Sequence, residues 1–179
     1  MTNKASRIVK RYHPALVVLH WLLALAIIGN LVAGKLILEN MANSDPAKPE
    51  ILRLHMASGL TILLLMVVRL VTRLRTAKPA VPHTGPLKFL SVANHWALYA
   101  FSFAMVITGL GTAQLGGLFP ILQGQPVELP TDFEAIQPFA GHVLFSSVLL
   151  ALIALHIAAV VWHLVKRDNV LPRMWFGSR

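Results

Sequence analysis

Long apolar runs separated by short charged clusters dominate this chain. Pro14 to Gly34 holds no charged side chain, and about Arg53 to Thr72 holds only Arg69 inside it. A third run begins near Leu87 and fades at Gly109, Gly111, Gly116 and Gly117, and a fourth fills the interval between Glu134 and Lys166 without a charge. Each approaches or exceeds the roughly 20 apolar residues that a helix needs to cross a hydrocarbon core. In lipid the backbone must satisfy its own hydrogen bonds, so uncharged runs of this length predict helices. The pattern therefore predicts an all-α fold, a four-helix transmembrane bundle, as a single domain over 1–179 with spans at about 14–37, 52–74, 88–113 and 137–165. Pro14 suits a first helical turn, where its missing N–H has no partner in any case. The Pro-rich stretch Lys78–Pro86 reads as a linker, and Gly116–Pro130 as a loop lying partly on the interface.

Composition narrows the class. Of 179 residues 56% are hydrophobic and 13% charged, against roughly 25% charged in soluble domains, which excludes a soluble enzyme. The formal charge of +9 comes in clusters between apolar runs rather than in one stripe, so membrane topology explains it better than nucleic acid. Lys4, Arg7, Lys10 and Arg11 precede span one, Arg69, Arg73, Arg75, Lys78 and Lys88 surround the second connection, and Lys166, Arg167, Arg173 and Arg179 follow span four. The other two connections hold Lys35, Lys48 and Arg53 together with six of the seven acids. Loops rich in Lys and Arg stay in the cytoplasm, so both termini are expected there, in a bacterial inner membrane. The uncharged run Pro14–Gly34 also exceeds the 7–15-residue apolar core of a signal peptide, so it reads as a retained span. With no cysteine, disulfides, thiolate metal sites and covalent haem attachment are excluded, and metal chemistry falls to the eight histidines.

Six of those histidines lie inside the spans: His20, His55, His95, His142, His156 and His163. His13 and His83 lie outside and read as solvated. Ionisable groups in a membrane are costly and mark functional sites. His142 and His156 are 14 residues apart, which on an α-helix is about 40° short of four turns and about 21 Å along the axis. One metal ion cannot bridge that gap, whereas two haems at different heights would each take one imidazole from span four. By depth His55 matches His142 as an outer pair, while His20 and His95 both match His156 as inner partners. A lone intramembrane histidine is readily a polar packing residue, but matched layers favour two haem b groups. A metal or proton transporter is disfavoured because no Asp or Glu lies within any predicted span.

The pair His20-Trp21, LHMASG around His55, MVVRLVTRLR ending at Arg75, His95, Gly141-His142, LHIAAVVWH ending at His163 and the closing KRDNVLPRM together resemble the bacterial cytochrome b561 family over nearly the whole chain. Among its members the likeness is greatest to those that pass electrons from superoxide to ubiquinone through two b haems. The resemblance implies His20 with His156 for the inner haem, His55 with His142 for the outer haem, and ubiquinone near the inner haem with His163 in contact. Leu164 stands where members of the family carry a further histidine. An electron-transfer subunit of a dehydrogenase or hydrogenase complex is the alternative, since similar four-helix cytochromes serve such partners.

Arg69 and Arg73, at the cytoplasmic end of span two, are candidates for haem propionates or quinone carbonyls, although positive-inside anchoring places arginines there regardless. Lys35, Lys48 and Arg53 are candidates for steering an anion to the outer haem, opposed by six acids on the same side. Trp21, Trp96 and Trp162 adjoin histidines and are candidates to pack on porphyrin or to form an interfacial belt. Gly59, Gly109 and Gly141 offer close approach, to a flat macrocycle or to another helix.

Overall fold

The computed structural model describes residues 10–79, 84–168 and 170–177. His83, Lys4, Arg7 and Arg179 lie outside them. Four long helices form the molecule: α1 (Pro14–Val32), α2 (Lys48–Arg75), α3 (Gly85–Leu115) and α4 (Gln137–Val165). By length and composition all four can cross a membrane, and no strand occurs among the described residues. The expected spans agree, with shifts at their ends. α1 passes into a π-helical turn at Ala33–Ile37 and a 3₁₀ turn at Leu38–Asn40. α2 begins four residues before the expected 52, so Glu50 sits in its first turn, where a carboxylate complements the helix dipole. α3 starts at Gly85, with Pro86 in its first turn, so the expected Lys78–Pro86 linker ends at Thr84.

His13 is not simply solvated. Its Nδ1 accepts the backbone N–H of Ala15 at 3.2 Å and caps α1, ahead of the proline whose fixed φ suits the start of a helix.

α3 packs most closely on α4, and α1 on α2, so the bundle is two antiparallel pairs joined through α2 and α3. Leu23, Ile62, Met66 and Tyr99 close the interior of the bundle, with Ala26, Ile27, Leu65, Leu70 and Phe103 around them. Large apolar side chains such as Leu25, Phe89 and Val165 are instead about three-quarters exposed, the arrangement of a bundle solvated by lipid. Lipid offers no hydrophobic drive between helices, so close packing and interhelical hydrogen bonds must hold them together. Such bonds are present. Ser58 Oγ donates to Asn30 Oδ1 at 2.6 Å across α1 and α2, and Arg69 joins three helices by donating to Tyr99 Oη (2.9 Å) and to the Leu16 carbonyl (3.1 Å).

The loop between α3 and α4 folds over one end of the bundle. Its 3₁₀ turn, Phe119–Gln123, places Leu118 and Ile121 in a second apolar cluster with Ala113, against Leu52, Met56 and Phe133. At Gly124 the chain takes φ +73°, a conformation open to glycine at no steric cost. Lys48 ties this end together. Only 7% exposed, it donates to the Met41 carbonyl (2.6 Å) and Asn43 Oδ1 (2.7 Å), while Asn43 Nδ2 donates to the carbonyls of Pro130 and Thr131. At the opposite end the segment 171–177 lies across the start of α1: Tyr12 N donates to the Arg173 carbonyl, Trp21 Nε1 to that of Met174, and Arg11 to that of Phe176.

Replacing Lys48 by alanine leaves two part-buried acceptors without their donor, a loss of up to about 1–3 kcal/mol for each where water does not reach it. A lowered thermal midpoint in detergent and faster proteolysis within 116–135 are expected; an unchanged midpoint and cleavage rate would show that the amine does not clamp the loops.

Candidate functional site

Two layers of imidazoles sit between the helices. In one, His55 of α2 faces His142 of α4 with ring centroids 6.1 Å apart and planes at 79°. In the other, His20 of α1 faces His156 of α4 at 6.2 Å and 73°. His95 of α3 joins the second layer, 5.4 Å from His156 at 84°. The same-face spacing on α4 thus brings both of its histidines to partners on neighbouring helices.

The His142 ring is held on three sides. A carbonyl oxygen only accepts, so the 2.9 Å contact from Nδ1 to the Met105 carbonyl places the ring hydrogen on Nδ1 and leaves Nε2 with a lone pair. Thr108 Oγ1 lies 3.4 Å from the same nitrogen. Gly109 forms the wall: a Cβ there would stand 3.0 Å from His142 Cε1. His55 is held chiefly through its backbone, whose carbonyl accepts from Asn30 Nδ2 (3.4 Å) and Ser58 Oγ (3.0 Å). Gly34, in the π-helical turn, is the near wall of its ring, with 3.4 Å from a built Cβ to His55 Cε1. π-helical turns of this kind occur often at functional sites. His55 Nδ1 is buried without a partner among the described residues.

These residues line a cavity of about 490 Å³ that includes His55, His142, Gly34, Gly59, Gly109 and Asn30. That volume lies within the 300–1,000 Å³ of cofactor pockets.

The second layer is framed by cations and aromatics. Trp21 meets His20 edge-on at 5.2 Å. Arg69 is braced by Tyr99 and Leu16, as above. The Arg73 guanidinium lies 5.3 Å from the centres of both the Trp96 and Tyr99 rings, and its Nε is buried without a partner among the described residues. His163, two turns beyond His156 on α4, has Nδ1 2.9 Å from Asp168 Oδ2.

A b haem fits these residues. Two imidazoles on opposite sides of one iron need metal–nitrogen bonds of about 2.0 Å and about 1.1 Å more from nitrogen to ring centre, giving a centroid separation of about 6.2 Å. Both facing pairs have this separation. His142 also has the carbonyl acceptor that metal-bound histidines usually require on their other nitrogen.

The remaining expectations divide. Trp21 is tied by its indole N–H to Met174 and by its ring to Trp175 at 6.1 Å, Trp96 lies under Arg73, and Trp162 lies under Lys166 at 5.0 Å. Gly109 approaches the His142 ring, Gly59 faces Asn30 while lining the cavity, and Gly141 faces Thr108. The three expected steering cations have partners inside the protein: Lys35 pairs with Glu39 at 3.3 Å, Arg53 with Glu50 at 2.6 Å, and Lys48 clamps the loops. Sequence reading missed Asn30, Ser58, the Met105 carbonyl, Thr108 and Gly34. Asn30, a strong polar group inside an uncharged apolar run, was the available signal.

A family model described as prokaryotic cytochrome b561 matches residues 11–177. Among curated proteins, the probable superoxide oxidase CybB of Yersinia pestis is 29% identical over 171 residues, covering 92% of this chain and 96% of that protein.

Gly109→Ala pushes a methyl group against the His142 ring. Overpacking of this kind costs about 1–3 kcal/mol, so a lower thermal midpoint is expected, with Gly29→Ala, where a Cβ meets nothing within 4 Å, as the neutral control. Equal midpoints for the two variants would show that the ring yields freely.

Proposed function

The chain belongs to the prokaryotic cytochrome b561 family, and from that premise we propose that it is a di-haem b cytochrome of the bacterial inner membrane. It carries electrons from a small periplasmic donor, superoxide, to ubiquinone on the cytoplasmic side. The observation that carries this reading is the pair of imidazole couples, 6.1 and 6.2 Å apart, at two heights along α4. The distribution of Lys and Arg supports termini in the cytoplasm, which makes the His55–His142 layer the outer one. Superoxide rests on the name of the Yersinia relative and on the sequence resemblance; ubiquinone rests on the resemblance alone.

His55 and His142 would hold the outer haem and His20 and His156 the inner one, each group supplying one-electron exchange between ferric and ferrous iron. If these four imidazoles hold the two haems, donor and acceptor would meet the site at its edges. The protein's own part is positional. The Met105 carbonyl fixes the tautomer of His142, Gly109 and Gly34 leave the two rings room, and Asn30 with Ser58 holds the backbone of His55. At the inner end Arg73 carries a buried N–H without an acceptor among the described residues, suited to a propionate or a quinone carbonyl. Asp168 holds the Nδ1 edge of His163, the histidine that the resemblance sets in contact with the quinone.

A second reading, an electron-transfer subunit of a dehydrogenase or hydrogenase complex, is favoured by the outer cations. Lys35 and Arg53 are paired with acids and Lys48 is buried, so the outer surface does little to collect an anion.

His142→Ala is expected to remove the outer haem and leave the inner one, halving the haem per chain, since the two layers share no ligand; loss of both from a folded protein would overturn the pairing. Superoxide generated beside the purified protein is expected to reduce its haem rapidly without any partner. Haem that stays oxidised under superoxide yet is reduced once a dehydrogenase is added would establish the subunit reading instead.

A further inference from the structure

The cavity beside His55 and His142 is bordered by a buried cation that has no counter-ion among the described residues. Resting on the outer-haem assignment above, we propose that Lys48 is a positioning residue for that haem: its ammonium pairs with a carboxylate on the cofactor's edge, a haem propionate, and so ties the loops to the group beneath them.

Lys48 and His55 are seven residues apart on α2, about 20° short of two turns, so they share a face with about 10.5 Å between them along the axis. Both line the cavity of about 490 Å³. A b haem carries its two carboxylates on one edge of a flat ring, so an occupant held by His55 and His142 calls for cations toward one end of the cavity rather than around it. Lysine is almost never buried unless paired, because an ammonium taken out of water loses its hydration. Lys48 is 7% exposed, yet its two hydrogen bonds go to neutral oxygens, the Met41 carbonyl and Asn43 Oδ1, and it joins no ion pair among the described residues. An ammonium has three donors, so one N–H remains, near the Phe133 ring, whose centre is 5.9 Å from Nζ. The surrounding acids are engaged elsewhere or exposed. Asp45 Oδ1 accepts the N–H of Ala47 at 2.9 Å, Glu39 pairs with Lys35 and Glu50 with Arg53, and Asp132 Oδ1 accepts the N–H of Glu134. Asp132 and Glu134 also border the cavity, but both are exposed. The buried ammonium thus lacks one negative charge on its cavity side, and a haem there brings two. A small diffusing anion offers the same chemistry; burial under two loops favours the resident carboxylate, and the experiment separates them.

The test uses full-length protein with both haems in detergent, the outer haem being the component missing from His142→Ala. Lys48→Gln keeps N–H donors for Met41 and Asn43 but removes the charge, Lys48→Arg keeps the charge, and Asn43→Ala opens the clasp while leaving the charge in place. A cation on the order of 10 Å from the iron shifts its equilibrium toward the ferrous form on the order of tenfold at the effective dielectric of a protein. Redox titration at mildly alkaline pH, where a propionate stripped of its cation stays ionised, is therefore expected to show the outer midpoint of Lys48→Gln about 59 mV lower, the equivalent of tenfold. The inner midpoint should not move, and Lys48→Arg and Asn43→Ala should stay near wild type. An unchanged outer midpoint in Lys48→Gln would overturn the proposal, as would an equal fall in Asn43→Ala, which would assign the effect to loop packing. Slower reduction by superoxide with weaker salt dependence in Lys48→Gln, at an unaltered midpoint, would make Lys48 a site for the diffusing anion instead. If Lys48→Gln sheds the outer haem outright, its retention in Lys48→Arg supports the pairing and its loss from both overturns it. A wild-type protein holding fewer than two haems would refute the ligand assignment itself, a failure that haem content alone reveals.

Discussion

Everything in this molecule is arranged around the separation of two imidazoles across a helix interface. An iron held between two imidazoles would need a gap of about 6 Å between ring centres, and the proposed di-haem cytochrome would have to keep two such gaps open between helices that no hydrophobic force draws together. The bundle meets that demand with polar crosslinks at the heights of the rings. Asn30 and Ser58 join α1 to α2 beside His55, Arg69 joins α1, α2 and α3 through Leu16 and Tyr99, and the Met105 carbonyl joins α3 to the His142 ring. Small residues do the complementary work, since Gly109 and Gly34 border the rings and a Cβ at Gly109 would crowd His142.

The two ends of the molecule are closed differently. At the His55–His142 end, the loop after α3 and the segment after α1 meet through Lys48 and Asn43, and an apolar cluster under Leu118 and Ile121 seals them. At the other end the short 3₁₀ turn Leu171–Met174 is strapped to α1 through Trp21 and Tyr12. Trp21 also touches His20, so this strap bears on the inner layer. Charge follows the same division, with arginines beside the inner layer and acids matched to lysine and arginine at the outer end.

Much of this was legible in the chain itself. Hydrophobic run length determines membrane helices almost by itself, because lipid leaves the backbone no other partner, and each of the four apolar runs lies along one long helix. The 14-residue interval on α4 carried the two-layer arrangement, because helical periodicity converts spacing into direction. What stayed hidden depends on contacts between helices. Depth alone left His20 and His95 equivalent, and only the distances of 6.2 and 5.4 Å to His156 distinguish them. The tautomer of His142 depends on a backbone carbonyl 37 residues away, which no side-chain pattern announces. Lys48 read as a candidate steering cation, yet folding of two loops buries it.

Iron anomalous scattering from crystals of the purified protein addresses the central claim directly. Two iron peaks per chain are expected, one midway between His55 and His142 and one midway between His20 and His156. A single peak, or an inner iron bound by His95 in place of His20, would contradict the two-layer assignment.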